Sequence, residues 1–309
     1  MTSGERGFAL VAVLLVLGLL GIIGAEFAYS MRLEASAMRS WKDNINAAHL
    51  AEAGLEQALR ELSGDVYYAS VAFDGALTFY KGDRVALPRL ARTKVRLGPG
   101  EFSYRITDER ARLNVNTARP DQLDKLLECL GIDKIARDTI VDSIQDWRDA
   151  NEEHRLNGAE SDDYYLKLPV PYRARNANIE SVNELLQIKG VTPALFEGVD
   201  GRPGLRDVLT ARAPGAPNMN TAGPVVFCAM RLLDAQISDI MQGRLEKPIT
   251  TAERGNGLAD RSDIYRIEAE GLIDGRPRAS LTAVVKRTAA SGATTAPVAA
   301  VVVEWSGVR

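Results

Sequence analysis

Residues 146–165, DWRDANEEHRLNGAESDDYY, hold the densest set of groups in the chain able to do chemistry. Asp146, Asp149, Glu152, Glu153, Glu160, Asp162 and Asp163 are set against only Arg148 and Arg155. Asp149, Asn151 and Glu153 stand at alternate positions, so a looped backbone can turn their oxygens toward one point. A turn at Asn157-Gly158 can bring Glu160, Asp162 or Asp163 back to the same point. A ligand set made of oxygens suits calcium, which takes about six to eight of them, and suits zinc poorly. The spacing departs from an EF-hand, and a solvated acidic loop has the same composition. Spacing alone leaves both readings open.

Other chemistry is sparse. The histidines are His49 and His154, no serine sits in a nucleophile-elbow pattern, and no glycine-rich phosphate loop follows a strand. Carboxylate pairs in this loop imitate those of a glycosidase, but such pairs are common in acidic loops. The residues therefore predict a protein that is not an enzyme. Cys129 and Cys228 each follow an apolar helical pattern, QLDKLLECLGI and PVVFCAMRLL, and read as two buried small hydrophobes. Nothing in the sequence fixes their separation, and there is no CxxC or Cys/His zinc spacing. A formal net charge of -3 gives no basic bias toward nucleic acid.

The elements that must carry these groups begin with a charged stub, MTSGERG, and a run from Phe8 to Ala25 without an ionisable side chain. At ~1.5 Å per residue, that run makes a rod of about 27 Å, close to the hydrocarbon thickness of a bilayer. Helical pattern continues beyond it, with no proline before Pro88. Phe27, Met31, Met38, Trp41, Ile45, Ala48, Leu55, Leu59 and Leu62 recur at helical steps as one stripe. A secretory signal would end in a small-x-small site with turn-formers nearby, which this sequence lacks. A plain single-span anchor and a pilin-type signal remain. Arg6-Gly7-Phe8 resembles the site cut by prepilin peptidase, with Gly before the bond and Phe as the new N-terminus. Most pilins carry Glu at the fifth position after that cut, whereas this chain has Ala12. A pilin-like sequence without that Glu resembles the minor pseudopilin K family of type II secretion systems, within the type IV pilin superfamily.

Beyond the helix, EFSYRITDE alternates as a half-buried strand, and residues 65–100 mix short strands with loops. From about Arg112 to Glu246 the pattern is helical. Strand character returns at IYRIEAEGLIDGRPRASLTAVVKR, with Asp274-Gly275 as a hairpin signal, and VAAVVVEWSG reads as a last strand. The fold predicted is α+β, a long N-terminal pilin helix packed on an antiparallel sheet, with a large all-α insertion. The corresponding boundaries are a leader at 1–7, the helix at 8–62 with its membrane part at 8–25, a pilin-like domain from 63–110 and 262–309, and the insertion at 111–250. The insertion contains an echo: Asn114-Val115-Asn116-Thr117-Ala118 returns as Asn218-Met219-Asn220-Thr221-Ala222, each copy reading as the entry to a helix. A looser third unit, Ser181 to Val191, reads as a capped helix closed by Gly190. These units resemble sterile-alpha-motif or helix-hairpin-helix domains. The latter hold DNA phosphates on hairpin amides and nearby cations, so a DNA-binding, competence-type membrane protein is the rival reading. Against it, Lys189-Gly190-Val191 has a single glycine and acids dominate the neighbourhood.

The resemblance to minor pseudopilin K implies more than the residues do alone. It implies cleavage between Gly7 and Phe8 by prepilin peptidase, methylation of the new N-terminus, and residence in the inner membrane with the bulk in the periplasm. It implies assembly through Ala12, Phe27, Met31, Met38, Trp41, Ile45 and Leu55 with minor pseudopilins I and J and other pseudopilins. Ala12 and the bulky insertion imply a place at the filament tip, needed for pseudopilus initiation and export across the outer membrane. Asp146-Trp147-Arg148-Asp149, Gly158-Ala159-Glu160 and Asp163-Tyr164-Tyr165 resemble the calcium-binding segment of the family. They imply a structural calcium ion held by Asp149, Asn151, Glu153, Glu160, Asp162 and Asp163.

Overall fold

The computed structural model describes residues 3–254, 257–288 and 299–308, with side chains from Leu10 onward. Helix α1 runs without interruption from Ser3 to Leu62. Gly7 and Phe8 lie on it, though their side chains fall outside the described residues. A short hairpin follows, β1 (Tyr68–Val71) with β2 (Leu77–Tyr80). Strands β3 (Val95–Leu97) and β4 (Gly100–Asp108) then start the main sheet. The chain leaves that sheet for a long excursion: β5 (Leu113–Asn114), α2 (Pro120–Cys129), α3 (Lys134–Arg148), α4 (Pro193–Glu197), α5 (Leu205–Val208), β6 (Leu209–Thr210), α6 (Pro224–Ala229) and α7 (Asp234–Glu246). It returns as β7 (Ile264–Ile273), β8 (Arg276–Thr288) and β9 (Ala299–Val308). The sheet is antiparallel with order β3-β4-β7-β8-β9, so the excursion leaves and re-enters at adjacent central strands. Asp274 and Gly275 turn β7 into β8 with φ of 53° and 72°, the left-handed pair that a tight hairpin needs.

The chain builds two cores. One lies between the C-terminal third of α1 and the sheet. Ala47, Leu50, Ala51, Leu55, Ala58 and Leu62 form a stripe at helical spacing against Phe102, Tyr104, Ile106, Ile267, Ala269, Leu281, Ala283 and Val285, which recur at strand spacing. The approach is close: a Cβ at Gly271 would lie 1.8 Å from the carbonyl oxygen of Ala47. Arg287 closes the end of α1, donating to the carbonyls of Leu62 (2.7 Å), Val66 (2.8 Å) and Gly64 (3.2 Å), where a helix leaves carbonyls without partners. The second core fills the insertion, with Leu126, Leu127, Ile140, Trp147, Tyr165, Leu185, Phe196 and Phe227 among its buried members.

The sequence echo is a structural repeat. In each unit the first Asn accepts from the amide two residues on, Asn114 from Asn116 N (2.8 Å) and Asn218 from Asn220 N (3.0 Å). The second Asn clamps a distant strand of backbone. Asn116 Oδ1 accepts from Ile179 N and its Nδ2 donates to Ile179 O; Asn220 does the same with Ile249 N and the carbonyls of Ile249 and Asp260. The helix that follows, α2 or α6, packs on its counterpart, and the next helix, α3 or α7, ends in an arginine that returns to the Asn turn. Arg148 donates to the carbonyls of Val115 and Ala118, and Arg244 to those of Met219 and Ala222. Burial lowers the pKa of Arg244 to about 10. The third unit differs from the expected α-helix. It is a 3-10 segment, Val182–Gln187, capped by Ser181 and Glu184 and closed by a bond three residues back, from Ile188 N to Leu185 O (3.1 Å).

Cys129, the last residue of α2, and Cys228, in α6, form a disulfide with Cα atoms 6.4 Å apart. The reading of two separate buried thiols is therefore wrong. The reason is tertiary: only the packing of one repeat on the other sets the separation of two cysteines 99 residues apart.

At the junction, Asp108 is fully buried and accepts from Arg110 N, Asn218 Nδ2, Thr221 Oγ1 and Ser262 Oγ at 2.6–3.0 Å. Burial pushes its pKa up, while those four donors pull it back. The neighbouring carboxylate, Glu109, is also buried; it takes an ion pair from Arg112 (3.1 Å) and Arg266 (2.7 Å) and a hydrogen bond from Thr210. These two acids tie the exit strand, the return strand and the insertion into one unit.

Candidate functional site

Two features outside the cores can carry function, the free length of α1 and the acidic loop. Residues 10–41 of α1 are exposed along their whole length. Among the described residues one helix, α1, is long and apolar enough to cross a membrane, with a mean hydropathy of 2.6. Ala12 lies on this exposed part. Past the apolar run, Phe27 (66 % exposed), Met31, Met38 and Trp41 stand in solvent among the described residues, and Ile45 lies at the border of the covered part. Leu55 does not belong with them. It is 4 % exposed and packs under the sheet, which corrects its assignment to an assembly surface. One helical period runs through both halves, and only the position of the sheet separates a stripe for self-burial from a stripe left bare.

The acidic loop hangs from the end of α3. Asp146 is buried there and accepts from Arg155 N (3.1 Å), Arg155 Nη1 (2.6 Å) and Ala159 N (2.9 Å). Only glycine fits at 158, because a Cβ would lie 1.8 Å from Asp146 Oδ2. Trp147, beside it, is held edge-on by Tyr165 at 5.2 Å and Tyr172 at 6.2 Å. Glu160 is 1 % exposed, and neither carboxylate oxygen has a hydrogen-bond partner among the described residues. Its pKa is pushed up to about 7, first by burial and then by the charges of Asp146, Glu152, Asp149 and Asp163. Against these five acids stands Arg155, whose Nη1 also reaches Asp149 at 2.7 Å, with His154 3.6 Å from Asp163.

Of the six sequence candidates, the fold gathers Asp149, Glu160 and Asp163. Asn151 instead knits the loop, donating to Asp149 Oδ1 (2.7 Å) and accepting from Glu153 N (2.8 Å). Glu153 is exposed and Asp162 points outward, 4.0 Å from Arg173. Asp146 and Glu152 were missed as candidates. An acid beside Trp147 on the apolar face of α3 was the available signal for the first; Glu152 carried none. Among the described residues no three His, Cys, Asp or Glu side chains already stand as a metal-binding group. The orphaned carboxylate of Glu160 amid four other acids nevertheless has the donor chemistry of a hard cation.

The hairpins of the two repeats are poor in free cations. Arg137 and Lys134 pair with Asp124, Lys125 with Glu128 and Arg231 with Asp121. That spends on acids the charge that phosphate contacts would need.

A long helix, apolar at its start and laid on an antiparallel sheet at its end, is a pilin-like fold, here with a helical insertion between two central strands. Residues 104–200 match the family model for Type II secretion system (T2SS), protein K. Over 267 residues the chain is 29% identical to Type II secretion system protein K of Pseudomonas aeruginosa, covering 79% of this chain and 74% of that one. It is also 29% identical over 211 residues to the protein K of Pectobacterium carotovorum subsp. carotovorum, covering 63% and 61%. In fold it is similar to a chain of the GspK-GspI-GspJ complex from the enterotoxigenic Escherichia coli Type 2 Secretion System, with a TM-score of 0.61, 14% identity, and coverage of 88% and 98%. The chain is thus similar to protein K of type II secretion systems, in sequence over most of its length and in fold.

Proposed function

We propose that the chain caps the tip of the type II secretion pseudopilus and is needed to start it. The observation that carries this reading is the bare apolar stripe of α1, from Phe27 to Ile45, continuous with a run of bilayer length. Before assembly that run holds the protein in the inner membrane, with the folded part in the periplasm. Prepilin peptidase cuts between Gly7 and Phe8, and the new N-terminus is methylated. The stripe then packs on helices of the counterparts of pseudopilins I and J, the partners that share a complex with the structural neighbour. Ala12 removes the carboxylate that would otherwise pair with a subunit above, where an unpaired charge in an apolar setting is costly. The insertion is too bulky for a filament shaft. Replacing Gly7 with Val is expected to block processing, read as retention of the longer form on a gel. Normal maturation of that variant would remove the basis for the pilin-type leader.

In the acidic loop we infer a structural calcium site built on Glu160, Asp146, Asp149, Glu152 and Asp163. The ion would neutralise carboxylates that Arg155 alone cannot, and would fix the loop to α3. Without metal, the fold holds Glu160 protonated to higher pH than the unfolded chain does, from its ordinary 4.5 up to about 7. Between those values the native state binds more protons, so metal-free stability falls as pH rises from about 4.5 to about 7. Thermal unfolding in chelator is expected to show that slope, calcium to abolish it, and Glu160→Gln to flatten it without metal. A melting temperature indifferent to both chelator and pH would rule the site out.

A further inference from the structure

The two edges of the main sheet are finished in different ways. β3 spans three residues, Val95–Leu97, with Arg96 at 91% side-chain exposure and Lys94 before it at a φ of 49°. A short, charged, kinked edge is one that resists pairing. β9 is the opposite: ten residues, AAVVVEWSGV, without Lys, Arg or Pro. Its single charge, Glu304, is taken by Arg212 at 2.8 Å. Val301, Val302, Val303 and Trp305 are 37–49% exposed. Trp305 and Val302 oppose Ala283 and Val285 on the α1 side of the sheet, while Val301 opposes Lys286. Val303 has no opposite residue on β8, because the register slips there. The strand is therefore apolar on both faces, the composition of a strand that is covered on both faces. Yet among the described residues no strand lies along its outer edge.

We propose that β9 receives an extended strand from a neighbouring subunit of the assembly inferred above, lengthening the sheet by one strand. A row of free main-chain N–H and C=O groups is satisfied by another extended backbone and not by a helix face. Apolar side chains on both faces of β9 call for an incoming strand that is uncharged on both faces. The surfaces are continuous: α1 touches β9, and Val302 and Trp305 lie on the same side of the sheet as α1, so a subunit packed along α1 reaches this edge without crossing the sheet. The inference rests on the assembly reading, and the experiment separates the two.

Amide hydrogen exchange of the full chain in detergent would be followed with and without the soluble domains of pseudopilins I and J. Binding is expected to slow exchange within 299–308 at least tenfold. Full chains carrying Val303→Lys or Trp305→Lys are expected to keep the parent melting temperature and to bind at least tenfold more weakly. Binding that leaves exchange at 299–308 unchanged, or unchanged affinity in both variants, overturns the strand inference and leaves the assembly reading standing. Protection that rises with the concentration of this chain alone means a second copy occupies the edge, and overturns the neighbouring-subunit occupant. Failure of the parent chain to bind either domain overturns both.

Discussion

Replacing Glu109 with Gln is expected to lower unfolding free energy by about 3–5 kcal/mol, the cost of removing one member of a buried ion pair. The side chain is wholly enclosed, while its partners Arg112 and Arg266 are only 11% and 17% exposed. Burial lowers the pKa of Arg112, and the charge of Glu109 is the largest influence opposing that. Neutralising Glu109 would leave two largely buried guanidinium groups side by side, and Arg112 Nε already lacks a hydrogen-bond partner among the described residues. The loss should be cooperative, because Arg266 belongs to β7, Arg112 to the start of the insertion and Thr210 to β6 within it. Urea unfolding followed by circular dichroism checks it. Adding Arg266→Met to the variant should recover part of the stability, since one unpaired cation goes with it. A single variant within about 1 kcal/mol of the parent would show that the junction is held by packing alone.

The second large effect concerns the disulfide. Opening a loop of 99 residues frees the unfolded chain, and the chain-entropy account sets the loss at about 4–5 kcal/mol as an upper value. Cys129 and Cys228 join the first helices of the two repeats, α2 and α6, so the insertion core should lose most. Cys129→Ser, Cys228→Ser and the double variant are expected to fall together, because each removes the same bond. A reductant should lower the parent by the same amount and leave the variants unmoved. Additive losses from the two single variants would instead mean that each thiol matters for its own packing. This effect and the one at Glu109 are expected to be largely independent, since one acts within the insertion and the other at its root.

Much of the architecture was legible because it rests on local period. The apolar run, the continuation of α1, the alternation of β4, and the Asp274-Gly275 turn are all written in neighbouring residues. The repeat was legible for a different reason: each Asn-x-Asn-Thr-Ala copy folds its own turn through the same side-chain to amide bonds. Its partners were not, since Asn116 and Asn220 clamp backbone tens of residues away. In the acidic loop, composition marked the segment but not the geometry. Alternate spacing selected Asn151 and Glu153, which the loop turns to its own bonding or to solvent, and overlooked Asp146, which α3 carries inside.

The sequence by itself determined a bilayer-length apolar helix, a split sheet and a helical insertion with an internal echo. These follow from hydrophobic period and turn chemistry, which act over a few residues. Only the tertiary structure decided where the helical stripe stops serving its own sheet and stands bare, near Ile45. It alone decided that the cysteines meet and that, among the described residues, Glu160 is left without a donor and β9 lies at an open edge. Each of these depends on which distant surface arrives beside a residue, and no local pattern encodes that.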